Sequence, residues 1–335
     1  MSPELLLRMI VPAVLALAVG FSMDRLLERR GLLPPGFREP WRRALGAAVV
    51  ALILWVGAFA SLGSAGESVE PDLSQLTTPQ LFFLHFLLVL SVVFWFLLGF
   101  AGVRRPSPPW PPSPGPPSTP SPGEGGTEVE AAVESEPVLE SAGVEGAPLS
   151  RGGSARGTGR GDGGEGLFRQ FLAQFGFLAP NIPKEIGIGV LIGVASWGAV
   201  LVVAVAIGLV VMALGGEESL PKQPPALIPW LAALPIGVRL LISLSAGVVE
   251  ETFFRGFLQP RIGIFLSTLL FVFAHFSYGQ PFMLVGIATL SLIYAFLVQW
   301  RQNIWPAIAA HFLFDAVQLL VVIPTVLKYM GKAGS

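Results

Sequence analysis

Long apolar stretches separated by short polar loops dominate the chain. A membrane-spanning helix needs about 20 predominantly apolar residues. This criterion predicts spans at 5–22, 44–62, 80–103, 184–213, 237–258, 262–277, 281–299 and 304–325. The apolar segment 225–234 is too short and too Pro-rich to span, so we expect it to lie at the interface or to re-enter the membrane. The pattern therefore predicts an all-α fold, a polytopic membrane helix bundle with about eight transmembrane helices.

The same pattern divides the chain into four regions. Residues 1–104 form an N-terminal membrane region of three helices, and residues 181–328 form a second membrane domain. Between them, residues 105–165 are rich in Pro, Gly and Glu and bury too little apolar surface to fold, which predicts a disordered linker. Residues 166–180 place Leu and Phe side chains on one helical face, which predicts an interfacial amphipathic helix or an extension of the next span.

Composition supports an integral membrane protein. Hydrophobic residues make up 53% of the chain and charged residues only 13%, whereas a soluble domain carries about 25% charged residues. The formal net charge of −1 gives no electrostatic reason to expect nucleic-acid binding, so the lipid bilayer is the expected surrounding partner. The chain contains no Cys, which excludes disulfides, thiolate catalysis and Cys-ligated zinc.

Basic residues predict the orientation of the spans. Loops rich in Lys and Arg stay on the cytoplasmic side. The loop after the first span is Arg-rich and is predicted to be cytoplasmic, whereas the acidic loop 63–79 is predicted to lie outside. Cytoplasmic span ends are then marked by Arg104, Arg105, Arg255, Arg261 and Arg301, and both termini are predicted to lie outside.

Two adjacent carboxylates inside the predicted span 237–258 are the most unusual feature of the chain. Ionisable groups inside a span are costly and indicate function. Glu251 and Arg255 are four residues apart, which predicts an ion pair on one face of an α-helix. Glu250 faces elsewhere and has no partner on its own helix. His85 lies in another apolar span without an acidic neighbour, which favours a structural or interfacial role for it.

The other two histidines are predicted to meet these carboxylates. His275 lies in the predicted span 262–277, and His311 and Asp315 share one face of the last span. With a rise of about 1.5 Å per residue, the three helices bring these groups to overlapping depths. A carboxylate and a neutral imidazole can activate water, and a second imidazole can stabilise an oxyanion. These groups are what hydrolysis of a peptide bond requires. Alternatively, Glu250, His275 and His311 can hold a divalent metal such as zinc. A glutamate-type and a metalloprotease mechanism of peptide hydrolysis therefore both remain open.

These motifs resemble the CPBP family of intramembrane endopeptidases, which includes the Rce1-type CAAX prenyl proteases and many bacterial Abi proteins. The resemblance rests on Glu250-Glu251-x-x-x-Arg255, Phe271-x-x-x-His275 and His311-x-x-x-Asp315, and it extends over about residues 181–328. It implies a catalytic membrane domain that cleaves a protein or peptide substrate in or at the membrane.

The resemblance also implies roles for the site residues. Glu250 and His275 would activate water, and His311 and residue 315 would form the oxyanion side. Glu251 and Arg255 would hold the first motif in place. The family commonly has Asn at the last position, whereas this chain has Asp315, which must be protonated, turned away, or used as a ligand or as an orienting partner of His311.

Alternative functions follow from the same residues. A non-catalytic bacteriocin self-immunity or membrane scaffold protein could use the same fold, and a cation-coupled transporter is a second alternative. A transporter of this kind usually has related halves with broken helices, and no internal symmetry is visible in this chain. The Gly and Pro content indicates a bacterial chain, for which we expect a multi-pass location in the inner (plasma) membrane.

Overall fold

Every regular element in the described part of the chain is a helix. The computed structural model describes residues 3–63, 77–102, 163–216, 227–276 and 281–333. The first two of these ranges contain α1 (Pro3–Arg29), a short 3₁₀ helix (Pro35–Arg38), α2 (Pro40–Gly63), α3 (Thr78–Leu81) and α4 (Phe83–Phe100). The predicted all-α class is therefore confirmed.

The second half contains a longer succession of helices. These are α5 (Gly163–Gln174), α6 (Ile182–Gly215), α7 (Leu227–Ala233), α8 (Ile236–Ser245), the π-helical segment Ala246–Leu258, α9 (Gln259–Ile262), α10 (Ile264–Ala274), α11 (Pro281–Arg301), α12 (Trp305–Val317), a π-helical turn (Gln318–Val322) and α13 (Ile323–Ala333). We call Ala246–Leu258 the π segment. The predicted linker 105–165 lies outside the described residues except for its last three, which belong to α5.

Local sequence signals explain where several of these helices begin and end. The side-chain oxygen of Asn181 accepts a hydrogen bond from the backbone N–H of Lys184 and so caps the start of α6. Gly263 has a φ of 87°, a backbone conformation that glycine adopts without strain, and it separates α9 from α10.

Fewer helices meet the length and hydropathy of a span than the predicted count of about eight. Among the described residues, five helices do so: Ile10–Arg29, Phe83–Phe100, Ile182–Gly215, Met283–Arg301 and Trp305–Met330. A sixth is possible if α7 and the helix Ile236–Ile262, which meet at a bend of 119°, form one broken span. The predicted span 262–277 is shorter in the structure, because α10 has only 11 residues and rises about 16 Å.

Small residues allow α6 and α12 to pack closely. A Cβ atom placed on Gly189 would overlap the carbonyl oxygen of Pro306 and lie 2.7 Å from Cβ of Ala309. Gly193, one turn further, faces the backbone of Ala310 in the same way. Glycines spaced four apart let membrane helices approach at backbone distance. This contact fixes the helix that carries His311.

A bidentate ion pair holds the beginning of α6 against the end of α11. Arg301 donates from Nε to Oε2 of Glu185 at 2.9 Å and from Nη2 to Oε1 at 2.6 Å. Arg301 marks a predicted cytoplasmic span end, and α6 begins after the linker that follows the predicted cytoplasmic residues Arg104 and Arg105. The structure thus brings together two helix ends that are expected on one side of the membrane.

Aromatic side chains pack α4 against the π segment. Trp95 makes edge contacts with Phe37 and with Phe257 of the π segment. The guanidinium of Arg261 lies 4.5 Å from the ring centres of both Trp95 and Phe257, and it donates a hydrogen bond to the carbonyl oxygen of Phe257. Such cation–π contacts stabilise a buried guanidinium.

Arg255 and Arg261 are both buried within the protein, so neither is a loop residue of the kind that marks membrane sidedness.

Replacing Gly189 by Ala is expected to lower the free energy of unfolding by about 1–3 kcal/mol, because the new methyl group overlaps the backbone of α12. Gly198→Ala is the matched control, since a Cβ on Gly198 of the same helix meets no atom within 4 Å. Thermal unfolding of the purified protein in detergent measures both effects. Equal melting temperatures for the two variants would contradict the proposed close packing.

Candidate active site

The two adjacent glutamates lie in the π segment, where the turn is wider than in an α-helix. A π-helix forms hydrogen bonds between residues five apart, and such turns occur frequently at functional sites. Glu251 is completely buried, and the side chain of Glu250 is 13% exposed. The segment therefore directs two carboxylates into the protein, and each meets a different set of partners.

Glu250 contacts His85 of α4. Nε2 of His85 lies 3.2 Å from Oε1 of Glu250, and Nδ1 of the same ring lies 2.7 Å from the hydroxyl oxygen of Ser245. When the Ser245 hydroxyl donates to Nδ1, the ring proton is on Nε2 and is donated to Glu250. The second carboxylate oxygen, Oε2, is buried and has no hydrogen-bond partner among the described residues.

His275 faces that second oxygen. Its Nε2 atom lies 3.8 Å from Oε2 of Glu250. Its Nδ1 atom lies 2.8 Å from the carbonyl oxygen of Phe271, which can only accept a hydrogen bond, so Nδ1 carries a proton. His275 follows the last residue of α10, and the end of this short helix therefore positions the ring. In the neutral ring, Nε2 is then an acceptor directed toward Glu250.

Glu251 binds both Arg255 and His311. Nη1 of Arg255 lies 3.0 Å from Oε1 of Glu251, and Nδ1 of His311 lies 2.8 Å from the same oxygen. Arg255 also donates from Nη2 to the hydroxyl of Ser291 on α11 at 3.1 Å. Its guanidinium lies 4.3 Å from the ring centre of Phe271. A buried carboxylate is thus matched by a cation and by an imidazole from another helix.

Asp315 lies on the opposite side of the His311 ring. Its Oδ2 atom is 3.5 Å from Nε2 of His311. Tyr294 and Phe271 lie beside the same imidazole, with ring centres at 5.4 and 6.2 Å. His311 is therefore held between two carboxylates and two aromatic rings, which fixes its orientation.

The structure brings together the residues that the sequence analysis selects, with two additions. The predicted pairs Glu251–Arg255 and His311–Asp315 lie within ion-pair distance, and Glu250 meets His275. The contact between Glu251 and His311 was not predicted. The contact of His85 with Glu250 was not predicted either: no acidic residue lies near His85 on its own helix, but Glu250 reaches it from the π segment. The structural or interfacial role expected for His85 stays a prediction.

The predicted metal ligands Glu250, His275 and His311 are not grouped at one site within the described part of the chain. Within the residues that the structure describes, no three His, Asp or Glu side chains are arranged to hold a metal ion. Glu250 pairs with His85 and His275, whereas His311 pairs with Glu251 and Asp315, so Glu250, His275 and His311 do not share one centre. These donors do not fit a three-ligand metal shell.

Comparison with known proteins supports the resemblance to the family. Residues 232–317 match the family model of type II CAAX prenyl endopeptidases, Rce1-like. The match is shorter than the predicted 181–328; it includes every site residue named above except His85. An uncharacterized protein of Bacillus subtilis, YpbD, is 32% identical over 79 residues, which cover 23% of this chain and 42% of YpbD. The chain therefore aligns with less than half of that relative, and no solved structure matches.

Replacing Arg255 by Met should strongly destabilise the protein. The change leaves the carboxylate of Glu251 buried without its cation, and breaking such a pair costs about 3–5 kcal/mol. Arg255→Lys should fall between Arg255→Met and the wild type, because Lys lacks the planar fork that also reaches Ser291.

Thermal unfolding in detergent provides the measurement. Thr252→Ala is the control on the same segment, because the Thr252 hydroxyl donates a hydrogen bond within its own helix, to the carbonyl oxygen of Val248. If Arg255→Met unfolded at the temperature of Thr252→Ala, the buried ion pair would not be needed for stability.

Proposed function

We propose that this integral membrane protein, whose residues 232–317 match the Rce1-like family of CAAX prenyl endopeptidases, hydrolyses a peptide bond in a membrane-associated protein. The single observation that carries the proposal is the arrangement of Glu250 and His275. Oε2 of Glu250, a buried oxygen for which the described residues provide no hydrogen-bond partner, lies 3.8 Å from Nε2 of His275. A water molecule located between these two atoms could donate one hydrogen bond to each.

Glu250 acts as the general base in this mechanism. The water oxygen attacks the carbonyl carbon of the substrate peptide while Oε2 of Glu250 takes its proton. His275 holds the same water through Nε2, since Nδ1 is bonded to the carbonyl oxygen of Phe271. When the tetrahedral intermediate collapses, the C–N bond breaks and the proton held by Glu250 passes to the leaving amine.

His311 stabilises the oxyanion. Its Nδ1–H donates to Glu251, and an imidazole between two carboxylates can carry a second proton on Nε2. That N–H is then a fixed donor for the developing negative charge, in a site from which most water is excluded. Asp315 orients the ring and balances its charge, which gives a role to the residue that departs from the common Asn.

The surroundings of the site favour a substrate that is itself associated with the membrane. The site lies among apolar helices, and an extended soluble chain would lose its hydration on entering it. A protein or peptide segment that reaches the site from lipid or from the membrane surface avoids this cost. The bacterial plasma membrane is the proposed location.

Glu250→Gln should reduce cleavage by about 10²–10⁴-fold, since it removes the general base and preserves the size of the side chain. Cells that carry the variant in place of the wild type are expected to accumulate an uncleaved membrane-protein precursor. Quantitative proteomics of membrane fractions measures this accumulation. Thr252→Ala, two residues away, is expected to leave the membrane proteome unchanged.

The same comparison tests the rival function. A self-immunity or scaffold protein needs no general base, so Glu250→Gln cells would retain the wild-type phenotype and show no precursor. A proteome that does not change in Glu250→Gln cells, with the variant present in the membrane at normal level, would rule out the proposed peptidase.

Cleavage by the purified protein should persist after treatment with the chelator 1,10-phenanthroline, because Glu250, His275 and His311 do not form a common metal centre. The measurement is the rate at which the accumulated precursor is cleaved with and without chelator. Loss of cleavage that returns on adding zinc would show that a metal takes part and would contradict the water activation proposed for Glu250.

A further inference from the structure

We infer that His85 is a positioning residue of this active site and that the N-terminal helix α4 therefore completes the site. The inference rests on the proposed function, because it assigns a role to the partner of Glu250. His85 lies outside the segment that matches the family model, residues 232–317. The matched segment thus supplies the base, and a different part of the chain supplies the group that orients the base.

His85 reaches two residues of the other half at once. Nδ1 contacts Ser245 at 2.7 Å and Nε2 contacts Glu250 at 3.2 Å. On an α-helix, residues five apart are separated by about 140° around the axis, so one ring could not easily meet both. Ser245 is the last residue of α8, directly before the π segment, whose hydrogen bonds join residues five apart. This wider turn lets Ser245 and Glu250 contact the same ring. The contact of His85 with both residues therefore depends on the π geometry.

The contact with His85 also determines which oxygen of Glu250 takes the proton from water. Oε1 accepts the hydrogen bond from His85, and Oε2, which has no hydrogen-bond partner in the described ranges of the chain, faces His275. Without the donor, the carboxylate could rotate about its last torsion, which is broad in Glu. His85 restricts this rotation and presents Oε2 to the water. Ser245 keeps the ring proton on Nε2, where it is needed for this bond.

Aromatic packing fixes α4 at the required position. Trp95, three turns beyond His85, is buried against Phe257 and beside the guanidinium of Arg261. The side chain of His85 is 18% exposed, and it is therefore enclosed rather than free to move into lipid. Helix α4 is thus held rigidly by its packing, and it directs His85 toward the site.

The test compares two substitutions of similar size. His85→Gln keeps an N–H donor near the position of Nε2, whereas His85→Leu fills the space and donates nothing. The substrate is a synthetic peptide that spans the cleavage site of the precursor accumulating in Glu250→Gln cells. For His85→Leu we expect kcat to fall by about 10- to 100-fold with little change in KM, because a misaligned base slows chemistry rather than binding. His85→Gln should recover a large part of that loss.

Controls separate positioning from folding. Ser91→Ala removes a buried hydroxyl of α4 that donates a hydrogen bond within its own helix, to the carbonyl oxygen of Leu88, and should leave kcat unchanged. If His85→Leu did not fold, Ser245→Ala would provide the same test, since it removes only the group that fixes the ring proton. That variant should lower kcat severalfold at unchanged thermal stability.

Three results are decisive. Low kcat in folded His85→Leu, with recovery in His85→Gln, supports the inference. Wild-type kcat in folded His85→Leu, while Glu250→Gln is inactive, overturns the role of His85 and leaves the proposed function standing. Wild-type cleavage by Glu250→Gln overturns the proposed function and, with it, the inference.

Discussion

Burial of two neighbouring carboxylates in an apolar helix bundle is the constraint on which the rest of the structure depends. An ionised carboxylate removed from water costs several kcal/mol unless it is paired and hydrogen-bonded. Glu250 and Glu251 point in different directions, so no single partner can serve both. Glu251 pairs with Arg255 and His311, whereas Glu250 contacts His85 and faces His275. Helices α4, α10 and α12 must therefore surround the π segment.

The pairing also gives the two glutamates different surroundings. Oε1 of Glu251 is held by a cation and an imidazole, and such a group is suited to hold other residues in place. Each glutamate has a buried Oε2 without a hydrogen-bond partner among the described residues, and that of Glu250 lies 3.8 Å from Nε2 of His275, which suits it to share a water molecule. The two carboxylates are adjacent in sequence and identical in chemistry, yet their surroundings differ. This is the arrangement expected where environment, rather than residue type, assigns the base.

The scaffold around the site is rigid for identifiable reasons. Glycines let α6 approach α12 at backbone distance, and the Glu185–Arg301 pair ties the beginning of α6 to the end of α11. On the other side, Trp95 and Arg261 hold α4 against the π segment. Catalytic groups must be held within a fraction of an ångström to act together. Packing of this kind keeps the histidines from three helices in register with the glutamates.

The sequence by itself determined the all-α membrane class and the local pairs, because hydropathy and a spacing of four residues are properties of a single helix. Glu251–Arg255 and His311–Asp315 belong to this group. The contact of Glu250 with His85, 165 residues away, and that of Glu251 with His311 were decided only by the tertiary structure. Hydropathy does not specify which helices become neighbours or how each is rotated. The π geometry that lets Ser245 and Glu250 contact one ring could not be predicted either, since an apolar pattern does not distinguish a π-helix from an α-helix. The packing of other helices around the buried charges selects it.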